Sequence, residues 1–240
     1  MDVLECIRTR RTIRKFTEQP VEFGKLSKIL EAGTLSPSAG NLQNWRFILV
    51  TEKPLIRQIY EHCMRQEAVY HAQAVIIVCS MDNKAEMMYG LRGKRLYSVQ
   101  NCACAAENML LAAHSLGLGA CWIGAFDEDK IDSMFDMTYN QKDVRPQMII
   151  ALGYPAEKPR PPKRVDMASV VHFNQYALKA KYPHIVFRDY SVEWQKQARE
   201  IEESSEKLVK KFKKGAKKLW KKIEPKIKNF FESDKNKSKK

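Results

Sequence analysis

Apolar positions recur along the chain in two alternating rhythms. From Val21 to Ala32 ("VEFGKLSKILEA"), Phe23, Leu26, Ile29 and Leu30 fall at helical spacing before Gly33, which predicts a helix. "WRFILVT" (Trp45 to Thr51) reads as a strand, and Pro54 opens a further helix, "PLIRQIYEHC". "AVIIVCS" (Ala74 to Ser80) is an unbroken apolar run of buried-strand length. Tyr97 to Leu116 is the longest helical pattern, with Gly117 as its stop. "GACWIGAF" (Gly119 to Phe126) and "QMIIALGY" (Gln147 to Tyr154) complete the strands. The acid-led "DEDKIDSMFDM" between them predicts a helix start. Helices and strands alternate over about 150 residues, which implies a layered domain of both kinds of element.

The C-terminal part departs from this rhythm. After the Pro-rich "EKPRPPKR" (Glu157 to Arg164) the pattern turns irregular, then becomes a basic amphipathic helix. Leu208, Phe212, Leu219, Ile223, Ile227 and Phe230 lie on one side and lysines cover the rest, with Pro225 dividing it. A domain over residues 1–190 and a helical tail over 191–240 with a disordered end are therefore expected.

Charge changes the picture only at that tail. Of the formal net charge of +14, +9 lies from Ile201 onward, in fifteen lysines against six acids. An anionic membrane surface is the favoured partner for residues 205–231. Nucleic acid is less favoured, because aromatics on a single stripe do not suit phosphate tracking. A helix packed on its own domain or on a second copy is the third reading. Six cysteines without CxxC or zinc spacing suit a reducing compartment. With no run long enough to span a membrane, the expected location is cytoplasmic, peripheral at the inner face of the membrane through the tail.

Three segments could carry chemistry. "RTRRTIRKF" sets Arg8, Arg10, Arg11, Arg14 and Lys15 around Ile13 and Phe16, whose burial would turn guanidiniums and the Thr12 hydroxyl toward one phosphate. A solvated turn is an equal reading of that segment alone. "SPSAGNLQNW" offers Pro37 for stiffness, Ser38, Ala39 and Gly40 for close approach, and Asn41 and Gln43 for hydrogen bonds to a flat polar ligand. An ordinary helix-to-strand connection fits it as well. "GLGACWIGAF" has glycines around a short strand, the mark of close approach by a ligand or another segment. No GxGxxG or other Gly-rich phosphate loop, HExxH or GxSxG motif occurs, so neither a resident dinucleotide, a catalytic metal nor a serine nucleophile is expected.

In this order and spacing, "RRTIRKF", "SPSAGNLQNWRF", "NMLLAAHSLGLGACWIGAF" and "IIALGYPAEKPRPPKR" resemble the nitroreductase family of FMN-dependent oxidoreductases, over about Met1 to Phe173. The resemblance implies an α+β fold, a central mixed sheet flanked by helices, in an intertwined homodimer with FMN at the subunit interface. It places the FMN phosphate on Arg10, Arg11, Thr12 and Arg14, with Arg164 and then Lys163 reaching it from beyond the Pro-rich stretch. It brings Pro37, Ser38, Ala39, Asn41 and Gln43 to the ring from the partner subunit. Ile123, Gly124 and Ala125 fall at the ring's redox edge, with Gln66 as a further polar contact. Asn44, where the family commonly has Pro before the Trp, is expected to loosen the loop.

The implied activity is reduction of an electron-poor small molecule (nitro- or quinone-like) in a two-step ping-pong cycle, with NADH or NADPH as a transient reductant. Because the flavin carries the redox chemistry, no catalytic side chain is required. The alternatives are the same fold performing flavin fragmentation or dehalogenation, and a non-catalytic flavin- or nucleic-acid-binding module acting through its basic tail.

Overall fold

The computed structural model describes residues 1–137 and 144–179. It divides into one compact unit, Met1–Pro162, and a second that begins at Lys163. The expected boundary between residues 190 and 191, and the whole amphipathic tail, lie outside the described residues.

In the first unit, helix α1 (Val3–Thr9) is capped by Asp2, whose side chain accepts from the Glu5 amide. Helix α2 (Phe23–Thr34) leads through a 3-10 turn (Ala39–Asn41) into strand β1 (Trp45–Val50). Helices α3 (Lys53–His62) and α4 (Glu67–Tyr70) lead to β2 (Ala74–Met81). Helix α5 (Asp82–Arg92) runs through a π-turn (Gly93–Tyr97) into α6 (Ser98–Ser115). Strand β3 (Gly119–Ile123), helix α7 (Glu128–Met134) and strand β4 (Val144–Gly153) follow. Each helix and strand predicted between Val21 and Tyr154 is present, with ends shifted by no more than a few residues.

The sheet order is β1-β2-β4-β3, and all three strand pairs are antiparallel. Alternating helices and strands ordinarily signal a parallel sheet. Here the β1–β2 connection goes out along α3 and back through α4, so Val50 and Val75 end up paired at the same end. Among the described residues the parallel component is the single bridge between Thr12 and Ala120 on the outer edge of β3.

Both faces of the sheet are covered, which accounts for the unbroken apolar run of β2. Val75, Ile77 and Cys79 pack with Ile56 and Ile59 of α3 on one side. Ala74, Ile76 and Val78 pack with Leu26 and Ile29 of α2 and with Ala105, Ala106 and Met109 of α6 on the other. The site segments lie at the margins of this rigid three-layer body.

The second unit, over its described residues, has a short helix α8 (Met167–Val170) capped by Asp166. A turn follows in which the Phe173 amide donates to the Leu178 carbonyl.

Candidate functional site

The arginine segment leaves α1 at Arg10, where the backbone becomes extended, and is held at both ends. The Ile13 amide donates to the Ala120 carbonyl (3.0 Å), and the Thr17 amide to that of Tyr154 (2.9 Å). The Ala156 amide donates to the Lys15 carbonyl at 2.9 Å. Ile13 and Phe16 are buried against the sheet. They meet two strand glycines: a Cβ on Gly119 would stand 2.8 Å from that of Ile13, and one on Gly153 would stand 2.8 Å from that of Phe16. The close approach that Gly119 permits is therefore by this segment.

Glu157 fixes the segment further, its Oε1 accepting from the amides of Arg14 (2.6 Å) and Lys15 (3.1 Å). Arg11 turns away from this arrangement. Its Nη1 donates to the carbonyls of Arg8 (2.8 Å) and Arg10 (2.7 Å).

The Pro37–Gln43 loop is held by a buried amide relay. Asn101 on α6 accepts from the Ala39 amide at 2.9 Å and donates to Asn44 Oδ1 at 2.7 Å. Asn44 donates to Ser98 Oγ (3.0 Å) and the Met81 carbonyl (3.3 Å), and its own carbonyl accepts from the Met81 amide (2.7 Å). Asn44, Ser98 and Asn101 are nearly or fully excluded from solvent. The expectation that Asn44 loosens the loop is therefore corrected: it ties the loop to β2 and α6. Within the loop, Ser38 Oγ accepts from the Gln43 amide (3.0 Å), and Gln43 Nε2 donates to Asn41 Oδ1 (2.9 Å). Gly40, Asn41 and Gln43 have φ of 52°, 53° and 49°. The left-handed region is costly for the two non-glycine residues.

The third cluster continues β3. Ile123 is fully buried, whereas Gly124 and Ala125 lie past the last strand pair and are exposed. Above Gly124 the space is open; a Cβ there would meet only Trp122 Nε1, at 3.7 Å. Gln66 Nε2 donates to the Ala125 carbonyl at 3.0 Å, and the Asp127 amide to the His62 carbonyl at 2.9 Å, which binds the Gln66 turn to this strand end. That turn is also strained, with Met64 at φ 52° and Arg65 at φ 50°.

Arg10, Thr12, Arg14 and the Gly124–Ala125–Gln66 cluster thus share the β3 edge. Gly124 is four residue steps beyond Ala120, about 13 Å at the rise of a strand, the scale of a mononucleotide. The Pro37–Gln43 loop feeds β1, the opposite edge, about 14 Å away over three interstrand spacings. One chain does not bring that loop to the arginine segment. Lys163 and Arg164 are exposed at the start of the second unit. No group of three potential metal ligands occurs among the described residues.

Ionisation is shaped by burial. Desolvation, then Arg10 and Arg11, depress the His114 imidazole below its ordinary value. Burial raises the Cys121 thiol. Sequence reasoning missed the Asn101 relay and the role of Glu157. Asn101 was detectable as an amide within the apolar stripe of α6, and Glu157 as a lone acid in a basic, Pro-rich run.

Comparison with known proteins agrees with this architecture. Residues 7–154 match the nitroreductase family. A Methanothermobacter thermautotrophicus protein, whose name proposes an NADH dehydrogenase/NAD(P)H nitroreductase, is 41% identical over 160 residues, covering 66% of this chain and 80% of its own. The oxygen-insensitive NADPH nitroreductase of Salmonella typhimurium is 30% identical over 178 residues, covering 72% of this chain and 74% of its own. A Desulfovibrio desulfuricans structure solved in complex with FMN superposes with a TM-score of 0.62 at 29% identity, covering 73% of this chain and 98% of its own. The chain belongs to the nitroreductase family.

Proposed function

We propose that this protein is an FMN-dependent oxidoreductase that uses NADH or NADPH to reduce an electron-poor acceptor of the nitro or quinone class. The observation that carries this reading is the β3 edge. A pinned arginine segment and an open strand end, bonded to the Gln66 turn, lie about one mononucleotide apart, as a phosphate and a flat ring require. The residues fit FMN: the guanidiniums suit a phosphate dianion, and the clear space over Gly124 suits a flat ring.

Arg10, Thr12 and Arg14 would hold the phosphate, with Arg164 and Lys163 adding charge and Arg11 bracing the turn from behind. The backbone of Ile123, Gly124 and Ala125 and the side chain of Gln66 would line the ring edge. Pro37, Ser38, Ala39, Asn41 and Gln43 would line its other side from a second copy, which the opposite-edge position of that loop supports; the protein is accordingly a homodimer. FMN, when bound, supplies hydride acceptance and donation. The chain's residues orient it, neutralise its phosphate and leave one exposed face for reductant and acceptor in turn, a two-step ping-pong cycle.

Purified protein should be yellow, release FMN on denaturation, bleach anaerobically with NADPH or NADH, and elute as a dimer. Protein that stays colourless after incubation with FMN would refute the reading.

The tail is a separate proposal resting on its sequence pattern: residues 205–231 associate with anionic membranes. No described helix is long and apolar enough to cross one. Co-sedimentation with phosphatidylserine vesicles that is unchanged on deleting 205–240 would sink it.

A further inference from the structure

The reverse side of the arginine segment forms a cavity of about 550 Å³, within the size range of small-molecule sites. Arg11 and Ile13 line it, while Arg10, Thr12 and Arg14 do not. Neither Gly124, Ala125 nor Gln66 borders it, so it is distinct from the proposed flavin edge. Its apolar lining residues include Met1, Ile13, Leu118 and the prolines at 155, 159 and 161.

The charges around it are unequal. The carboxylate of Glu157 is engaged by two backbone amides. His114 is bonded through Nε2 to Thr9 Oγ1 at 2.8 Å, and desolvation together with Arg10 and Arg11 holds it toward the neutral form. Arg11 is held in place by two carbonyls through one nitrogen of its five-donor fork, and Lys158 stands on the same rim. An apolar pocket with a fixed guanidinium and a second cation suits an amphipathic anion.

We infer that this cavity is a second ligand site, on the back of the arginine segment, for a small apolar carboxylate or sulfonate. The acid group would pair with Arg11 and Lys158, and the apolar body would lie on Ile13, Leu118 and the prolines. The inference does not depend on which flavin reaction the protein performs.

The test uses the full-length protein loaded with FMN and titrated calorimetrically with anilinonaphthalene sulfonate as the probe. One saturable event per chain is expected, unaffected by excess free FMN. Leu118→Trp should fill the cavity and abolish that event while the flavin absorbance is kept. Pro161→Glu, an exposed rim change, should weaken it about tenfold by placing a carboxylate beside the probe's sulfonate; it remains informative if Leu118→Trp fails to fold. No saturable binding would mean that a second copy or another part of the chain fills the cavity. That result would overturn the inference, as would displacement by FMN or binding indifferent to both variants.

Discussion

Gly119→Ala tests whether the arginine segment owes its position to sheet packing. The added methyl would stand 2.8 Å from both Cβ and Cγ2 of Ile13 and 2.9 Å from Cγ1, whereas ordinary contact begins at 3.4 Å. The segment must therefore withdraw by about 0.6 Å, and rotation about χ1 cannot relieve the clash because Cβ itself is involved. Overpacking of this kind costs about 1–3 kcal/mol. For a domain of this size that is a fall in Tm of roughly 2–4 °C per kcal/mol.

The same shift would lengthen the contacts of Arg10 and Arg14 to a phosphate. Charge-assisted bonds contribute about 1.5–3 kcal/mol each, so loss of one such contact weakens FMN binding at least about tenfold. Differential scanning fluorimetry of the flavin-free protein and a fluorescence titration with FMN would read the two effects separately. Gly24→Ala is the control, since nothing lies within 4 Å of a Cβ there and the residue is helical. It should raise stability by about 0.5 kcal/mol. If Gly119→Ala matched the parent in both assays, the packing argument would be refuted.

Other perturbations probe the remaining parts. Asn101→Leu should strip the Ala39 amide and Asn44 of their partner, cost about 1–3 kcal/mol per orphaned group, and speed FMN loss; unchanged urea unfolding and flavin occupancy would count against the relay. Gly40→Ala places a Cβ at φ 52° against the Tyr89 hydroxyl, so flavin retention should fall on gel filtration while the fold survives by circular dichroism; full retention would contradict this placement. Exposed Cys104 should alkylate in the native protein, and buried Cys63 and Cys79 only on unfolding, which mass spectrometry can resolve. Burial pushes both of those thiols from 9.0 up to about 12. The folded state thus holds their protons more tightly, and that stabilisation is complete below pH 9 and lost as pH climbs toward 12. The urea midpoint should drop across that window, and a Cys63→Ala, Cys79→Ala variant that drops identically would show that other groups cause it.

The elements were readable because each had its own period. The run at Ala74–Ser80 announced a strand buried on both faces, and the helical pattern ending at Gly117 announced α6. Strand direction was not readable, because the α3–α4 excursion that returns Val75 to Val50 depends on tertiary packing and leaves no mark in local periodicity. The arginine segment was legible through Ile13 and Phe16, whose burial is pointless in a solvated turn. The Asn44–Asn101 relay was not, because its partners are 57 residues apart and an isolated Asn says nothing of what it will meet. Glu157, which acts on amides 142 and 143 residues away, was hidden for the same reason.

The placement of strain adds a separate argument for the site. Among the described residues seven non-glycine positions have positive φ, and four of them, Asn41, Gln43, Met64 and Arg65, lie in the two loops assigned to the ring. Apart from Asn41, which tolerates this region, each costs about 1–2 kcal/mol, which packing alone gives no reason to accumulate there. Both loops are instead held in place from behind, one by Asn101 and Asn44, the other by the Gln66–Ala125 and Asp127–His62 bonds. Strain braced by hydrogen bonds at an exposed edge is expected where backbone must be presented to a ligand. A fold that concentrates its strain in two loops fastened to strand ends and to α6 is suited to hold backbone out to a bound group.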